Sequence, residues 1–344
     1  MEDAQPNPFT SDLKVLVLAG SNSVSERRRR RRAERLRRNE PEVPLENKAF
    51  LRLRGRLVIE YLLDTLEACG LRRMWILAPE HSLRRIPSRY AFHPLVQRPG
   101  ATLVANLSAA YTGVDPQPDE PVLLLFGDHP LTTPAALRSF LTSCGPQVDR
   151  ADFFHGVTLQ EAYAEYMPFF RRTCLHLRDM SGRASGLNLA IPSRLHRLRL
   201  LDEFYGVRKQ EQLGALLGLL RLVISWLGAR APIALIDTLI LSIAKEMEKI
   251  GRRGGIRGRI GRTVRYALAS LVTRRRIERH GARVLRAEKG TRLVPLAHGG
   301  AGIDVDFLEE LQLLDDNWER LQSIQSAQDA RLEPHGDRTW RSPR

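Results

Sequence analysis

Three short stretches of this chain carry residues of a kind and spacing suited to chemistry on a charged substrate. VLVLAGSNS ends an apolar run at Ala19, Gly20 and Ser21, and the backbone N–H groups of a small turn after a buried strand are placed to cradle phosphate. In LLLFGDHPL, Asp128 stands directly beyond another apolar run. A carboxylate there would meet a ligand at the edge of a sheet and is of the type that holds Mg2+. In GIDVDFLEEL, Asp304 and Asp306 share one face if the segment is extended. Each stretch has a structural alternative: a glycine that serves only the turn, an Asp128 that shapes the turn before Pro130, and an Asp306 that caps a helix. Neither GxGxxG nor a Walker lysine pattern is present, which argues against a dinucleotide or P-loop site. No Ser/His/Asp or Cys/His arrangement marks a protein nucleophile.

These residues need a scaffold, and the apolar pattern describes one. Leu13 to Leu18 and Pro121 to Phe126 are continuous apolar runs of the length and form of buried parallel strands, as is Met74 to Ala78. KAFLRLRGRLVIEYLLDTLEACGL reads as a short strand, a turn at Gly55 and an amphipathic helix stopping near Gly70. Leu103 to Thr112 and Thr133 to Ser143 read as helices, the second with Thr132 or Thr133 as N-cap. Alternating strands and helices predict an open α/β sheet covered on both faces, with ligands at the carboxyl ends of the strands. Further along, Asp152 to Thr158, Thr173 to Leu177 and SGLNLAIP predict strands, Leu213 to Arg279 predicts helix interrupted by glycines between Gly251 and Gly261, and the tail beyond Ser323 reads as polar and loosely ordered.

Taken in order, these segments resemble the MobA-like NTP transferase family over most of residues 12 to 315. LVLAG is similar to its nucleotide-binding strand and turn, and NKAFLRLRGRLVIEYLLDTLEACG to its lysine-containing segment, substrate strand and following helix. PVLLLFGDHPLTTPAAL is similar to its metal-binding strand end, SGLNLAIP to its GGN segment, and GIDVDFLEEL to its closing DxDxPxDL segment. The resemblance implies a GT-A-like, Rossmann-like three-layer αβα sandwich with a mixed, mostly parallel sheet and a helical insertion. It implies a nucleotidyltransferase that joins the nucleotidyl part of an NTP to a phosphorylated sugar, polyol or inositol, with Mg2+ as cofactor and pyrophosphate released. On that footing Ala19, Gly20, Ser21, Lys48, Asn106 and Gly127 face the nucleotide. Lys48 and Asp128 are catalytic, Asp128, Asp306 and less firmly Asp304 bind the metal, and Gly186 and Asn188 meet the acceptor. The departures are the Arg-rich SNSVSERRRRRR in place of the glycine-rich turn, Asn47 before the lysine, GLN for GGN, and Phe307, Leu308 and Glu310 in the closing segment.

The chain of 344 residues carries a net charge of +15. Residues 26 to 38 supply +7 and residues 207 to 286 supply +13, so the scaffold itself is acidic, and the excess points to two local segments rather than to a nucleic-acid-binding body. The run Arg27 to Arg32 lies in the loop that closes over the nucleotide in proteins of this resemblance, with one or two arginines expected at the triphosphate. Residues 12–206 are expected to form the core, 207–286 a basic helical insertion, 287–322 the return to the core and 323–344 a polar tail. The insertion is either a helical cover for the acceptor or, over 213–280, a membrane-surface element with Trp226 on its apolar side. No transmembrane run or export signal is visible, and the three unpaired-looking cysteines Cys69, Cys144 and Cys174 suit a reducing cytoplasm. Two other functions remain: a degenerate transferase serving as a nucleotide-sensing or membrane-binding module, and a glycosyltransferase, for which FGDH lacks the central DxD.

Overall fold

The computed structural model describes residues 12–20, 47–98, 101–170, 172–196, 237, 240, 247, 255–306 and 308–332. Ten strands are described: β1 Lys14–Leu18, β2 Arg52–Leu53, β3 Arg56–Leu57, β4 Met74–Ala78, β5 His93–Val96, β6 Val122–Phe126, β7 Phe153–Leu159, β8 Leu175–His176, β9 Ser181–Ala190 and β10 Thr291–Leu296. The helices are α1 Val58–Ala68, α2 Glu80–Leu83, α3 Leu103–Val114, α4 Pro134–Cys144, α5 Gln160–Ala164, α6 Gly255–Ala269, α7 Arg274–Leu285, α8 Leu308–Asp316 and α9 Trp318–Leu332.

The sheet runs β10-β7-β9-β6-β1-β4-β5, with β8 attached to β9 and β2–β3 forming a separate hairpin. Pairings of β1 with β4 and β6, β4 with β5, and β7 with β10 are parallel. β9 alone runs against its neighbours β6 and β7. The continuous apolar runs form these strands because both faces of the sheet are covered. On one face Val15, Val17, Ile76, Leu123, Leu125, Leu187 and Leu189 join a core with Leu62, Leu63, Leu66 of α1 and Leu137, Phe140 of α4. On the other, Leu16, Leu18, Trp75, Leu77 and Leu124 meet Leu107, Ala110, Tyr111 and Val114 of α3. Two helical layers around a mixed, mostly parallel sheet make the three-layer αβα sandwich of the expectation.

Local chemistry sets the helix boundaries. The Thr102 hydroxyl accepts the Ala105 N–H at 3.1 Å and the Thr133 hydroxyl accepts the Ala136 N–H at 3.2 Å, so Thr133 rather than Thr132 caps α4. The Glu60 carboxylate reaches back to the Leu57 N–H at 2.8 Å to start α1. At the N-terminal end of β7, the fully buried Asp152 carboxylate accepts the Lys289 N–H at 2.5 Å and lies 3.5 Å from Arg194, fixing the loops at the pole of the sheet opposite the strand tips β1 and β6 share.

Three expectations are corrected. The strand over Thr173 to Leu177 is reduced to Leu175 and His176, which pair with Gly182 and Ser181. Helix α6 passes unbroken through Gly258 and Gly261, at about 1 kcal/mol per glycine, and a break falls at Ser270–Thr273, where Thr273 caps α7; Gly251 and Gly254 lie outside the described residues. The polar tail is in part a helix: α9 continues to Leu332 and docks through glutamines. The Gln325 amide donates to Leu131 O at 2.7 Å, Gln328 accepts the Gly299 N–H at 2.7 Å and donates to Ala162 O at 2.9 Å, and the Thr133 hydroxyl donates to Asp329 at 2.7 Å. Buried amides satisfying loop backbone work beside a short apolar stripe, in which Leu321 is buried and Trp318 and Ile324 pack against the same cluster.

The last part of the 207–286 segment is not separate from the core. α7 lies along β10, where the buried Glu278 accepts the Leu293 N–H at 2.9 Å and Thr291 donates to Glu278 O at 2.7 Å. Most of 207–254, Ser21, the Arg27 to Arg32 run and residues 333–344 lie outside the described residues. Within the span expected to touch a membrane, Ile260 and Leu271 are exposed. No helix among the described residues is long and apolar enough to cross a membrane. Cys69, Cys144 and Cys174 are all free thiols.

Candidate active site

The carboxyl ends of β1 and β6 lie side by side, because Leu18 pairs with Phe126 and Gly127 N–H continues the ladder to Leu18 O at 2.9 Å. The two chemical turns, Ala19–Gly20 and Gly127–Asp128, therefore emerge together. A third piece is brought in by Asn47, whose amide donates to Ala19 O at 2.7 Å and seats the 3-10 turn Lys48–Phe50 against the β1 turn. Gly127 makes that approach possible: a Cβ there would lie 3.1 Å from the Ala19 methyl and 3.2 Å from that of Ala49. Asn47, one of the departures in the sequence, is thus the residue that fixes the lysine.

The closing segment packs against β9, where Arg183 holds the Gly302 carbonyl. Val305 N–H donates to Asp128 O at 2.9 Å, which ties the two acidic stretches backbone to backbone. The Lys48 ammonium contacts the Asp306 carboxylate. Burial raises the Asp128 pKa, but the His129 hydrogen bond at 3.1 Å and the charges of His129 and Lys48 more than offset it and leave Asp128 below the ordinary carboxylate value. Asp306 is likewise held well below the ordinary value, burial being overcome by hydrogen bonds from Lys48 and Arg172. For His129 the direction reverses: burial depresses it, and Asp128 followed by Asp304 raises it further than that.

Two arginines complete the cluster. Arg172 lies 2.8 Å from Asp306, 2.5 Å from Glu310 and 3.5 Å from Asp304. Arg183, on β9, is 2.8 Å from Asp304 and donates to Gly302 O at 2.7 Å. Glu310 in turn accepts the Asp306 N–H at 2.7 Å, so the first turn of α8 positions Asp306. Nothing in the spacing of RRTCLHLRDMSGR singles out Arg172 and Arg183. The available signal is electrostatic, since Asp304, Asp306 and Glu310 close together demand more counter-charge than one lysine provides.

The remaining predicted residues divide. Gly186 is at the site, and its missing side chain leaves room for His129, whose ring atoms would be 2.8–2.9 Å from a Cβ. Gly20 faces Gln97, whose amide oxygen would be 2.7 Å from a Cβ. Asn106 is buried in α3, where it accepts the Arg98 N–H at 3.1 Å and so shapes the loop that carries Gln97 past Gly20. Asn188 is not brought to the cluster. It sits level with Leu124, mid-strand, with its amide oxygen 2.6 Å from His155 Nδ1.

The donor set suits a hard divalent cation. Asp128 and Asp306 offer carboxylate oxygens, and a lysine cation already contacts one of them and acts on the other. Among the described residues no group of three His, Cys, Asp or Glu side chains converges as a metal site. Mg2+ commonly takes one or two carboxylates and completes its shell with water and phosphate oxygens, so the residues fit a metal that shares its ligands with a phosphate.

A family model for the MobA-like NTP transferase domain matches residues 15–191, just over half of the chain. The chain belongs to the MobA-like NTP transferase family. The match takes in Gly20, Lys48, Asp128, Arg172, Arg183 and Gly186, while Asp304 and Asp306 are supplied by residues beyond it. Membership makes the protein a nucleotidyltransferase. Among solved structures, a hypothetical transferase from Thermus thermophilus is 22% identical, with a TM-score of 0.53 over 87% of this chain and 99% of its own. It shares the fold. The CMP:2-keto-3-deoxy-manno-octonic acid synthetase complexed with CTP is 10% identical with a TM-score of 0.45, covering 90% of this MobA-like chain and 98% of its own. None of the curated proteins matches the chain.

Proposed function

We propose that this transferase moves a nucleotidyl group from an NTP to a phosphorylated small-molecule acceptor, a sugar, polyol or inositol phosphate, with release of pyrophosphate. The observation that carries the reading is the gathering of Lys48, Asp128 and Asp306 where the β1 turn leaves the sheet. An acceptor phosphate oxygen attacks the α-phosphorus, the new P–O bond forms, and the bond to the β-phosphate breaks so that pyrophosphate leaves with the electron pair. The acceptor phosphate is already ionised near neutral pH, so no general base is needed, which fits a cluster made of charges and no nucleophile.

The barrier in such a step is repulsion between anions, and preorganised cations lower it by stabilising charge that builds toward the transition state. Lys48 would turn from Asp306 to the triphosphate, held in reach by the Asn47 anchor on Ala19 O. The Gly20 turn offers backbone N–H groups to the phosphates. Asp128 and Asp306 would hold Mg2+, which supplies Lewis-acid stabilisation of the phosphate oxygens. His129 and the Val305–Asp128 backbone bond keep the Asp128 carboxylate ionised and aimed.

The test is pyrophosphate release measured with ATP, CTP, GTP and UTP, each with Mg2+, against a panel of phosphorylated sugars, polyols and inositols. Release that requires both one nucleotide and one phosphorylated acceptor is the expected result. Nucleotide-dependent release that ignores the acceptor, or none in a folded preparation that also shows no nucleotide binding, overturns the reading.

A further inference from the structure

Four carboxyl groups at the site, Asp128, Asp304, Asp306 and Glu310, are faced by three cationic side chains, Lys48, Arg172 and Arg183. Arg172 does the most of this work. It engages three of the acids at 2.5 to 3.5 Å and also donates to Asp304 O at 3.1 Å, with its side chain 19% exposed. Arg183 is committed to Asp304 and the Gly302 carbonyl, so its geometry belongs to the loop. Both Asp306 oxygens are occupied, Oδ1 by Lys48 and Oδ2 by Arg172. A free divalent cation reaching Asp306 would have to displace a charge-assisted hydrogen bond and leave a partly buried guanidinium or ammonium without its counter-charge, which is costly. A triphosphate changes that balance, because its oxygens are partners to which Lys48 and Arg172 can turn as they leave the carboxylate.

We propose, building on the transfer reading above, that Arg172 is a positioning residue that withholds Asp306 from divalent cations until a phosphate-bearing ligand draws it away, so that metal enters with the nucleotide and not before. The arrangement fits a cluster whose carboxylates have the donor chemistry for Mg2+ and yet are taken up by cations. Arg172 is suited to the task because a planar guanidinium spans several carboxylates at once, which an ammonium does not.

Mn2+ is the probe, its free concentration followed by its EPR signal in solutions of the full chain. Without nucleotide, Arg172→Gln is expected to bind Mn2+ about tenfold or more tighter than the wild type, the size of effect that outer ligands of metal sites exert. Adding Asp306→Asn to that variant should remove the gain. Equal Mn2+ affinity of wild type and Arg172→Gln overturns the proposal, as does wild-type protein that binds Mn2+ alone as tightly as with any of ATP, CTP, GTP or UTP. If Arg172→Gln does not fold, Arg172→Lys replaces it: a smaller gain in nucleotide-free affinity supports the proposal and no gain refutes it. The nucleotide-free comparison does not depend on donor identity. Calorimetry showing no binding of any of the four nucleotides therefore counts against the transfer reading, while the Arg172 comparison stands or falls on its own result.

Discussion

At the scale of single residues, the site is built from charges that stabilise the reaction more than the fold. Asp128→Asn should reduce pyrophosphate release by about a hundredfold or more while leaving the melting temperature within a degree or two of wild type, since one electrostatic group of this kind is worth roughly 2 to 4 kcal/mol in the transition state. Undiminished turnover would remove Asp128 from the mechanism. Lys48→Ala should lose a similar amount of rate, and the loss should appear in kcat as well as KM because Lys48 would act on charge that develops during transfer. A change confined to KM would assign the lysine to ground-state binding. Asp128 and Asp306 stood out as acids beside apolar segments, whereas Lys48 was named only through the resemblance in segment order. Arg172 and Arg183 were not, because an arginine before a two-residue strand and another within β9 look like any basic surface residue until folding sets them on acids more than a hundred positions away.

At the scale of elements, legibility tracked how a segment is buried. β1, β4 and β6 are covered on both faces, so their apolar runs announced them. β8 has two residues and no pattern to show. α9 was misread because the C-terminal half of its buried face is glutamine, Gln325 and Gln328 following Leu321, and that docking has a functional side. Gln325 holds Leu131 O, close after Asp128, while Gln328 holds Gly299 N–H at the start of the loop leading to Asp304 and Asp306. One helix, far in sequence from the first loop and near the second, thus clamps both acidic loops. Gln328→Ala would leave a buried backbone N–H unpaired, and chemical denaturation should show a loss of about 1 to 3 kcal/mol. Activity should fall with it, whereas an unchanged stability would mean water has replaced the amide.

At the scale of the whole molecule, the sheet has two unlike poles. The pole at the carboxyl ends of β1 and β6 holds cations and carboxylates whose partners are to be exchanged on binding. The opposite pole is closed by Asp152, fully buried and permanently engaged with Lys289 N–H and Arg194. Asp152→Ala should cost about 3 kcal/mol or more, as removing one partner of a buried ionic group does, and should be measured by the denaturation midpoint with the slope checked for constancy. If Asp128→Asn proves the more destabilising of the two, this division of labour between poles is wrong.

The reversed strand β9 is what joins that architecture. β7 precedes β9 in the chain, yet β9 lies between β6 and β7, so among the described strands the backbone ladder from β1, β4, β5 and β6 reaches β7 and β10 through β9 alone. The pairing of β7 with β10, which joins residues more than a hundred positions apart, is the longest-range ladder of the sheet and of the kind that slows folding. Because Arg183 and Gly186 travel on β9, the site is complete only when that strand has joined the two halves of the sheet, and an incompletely folded molecule has no finished site with which to capture nucleotide.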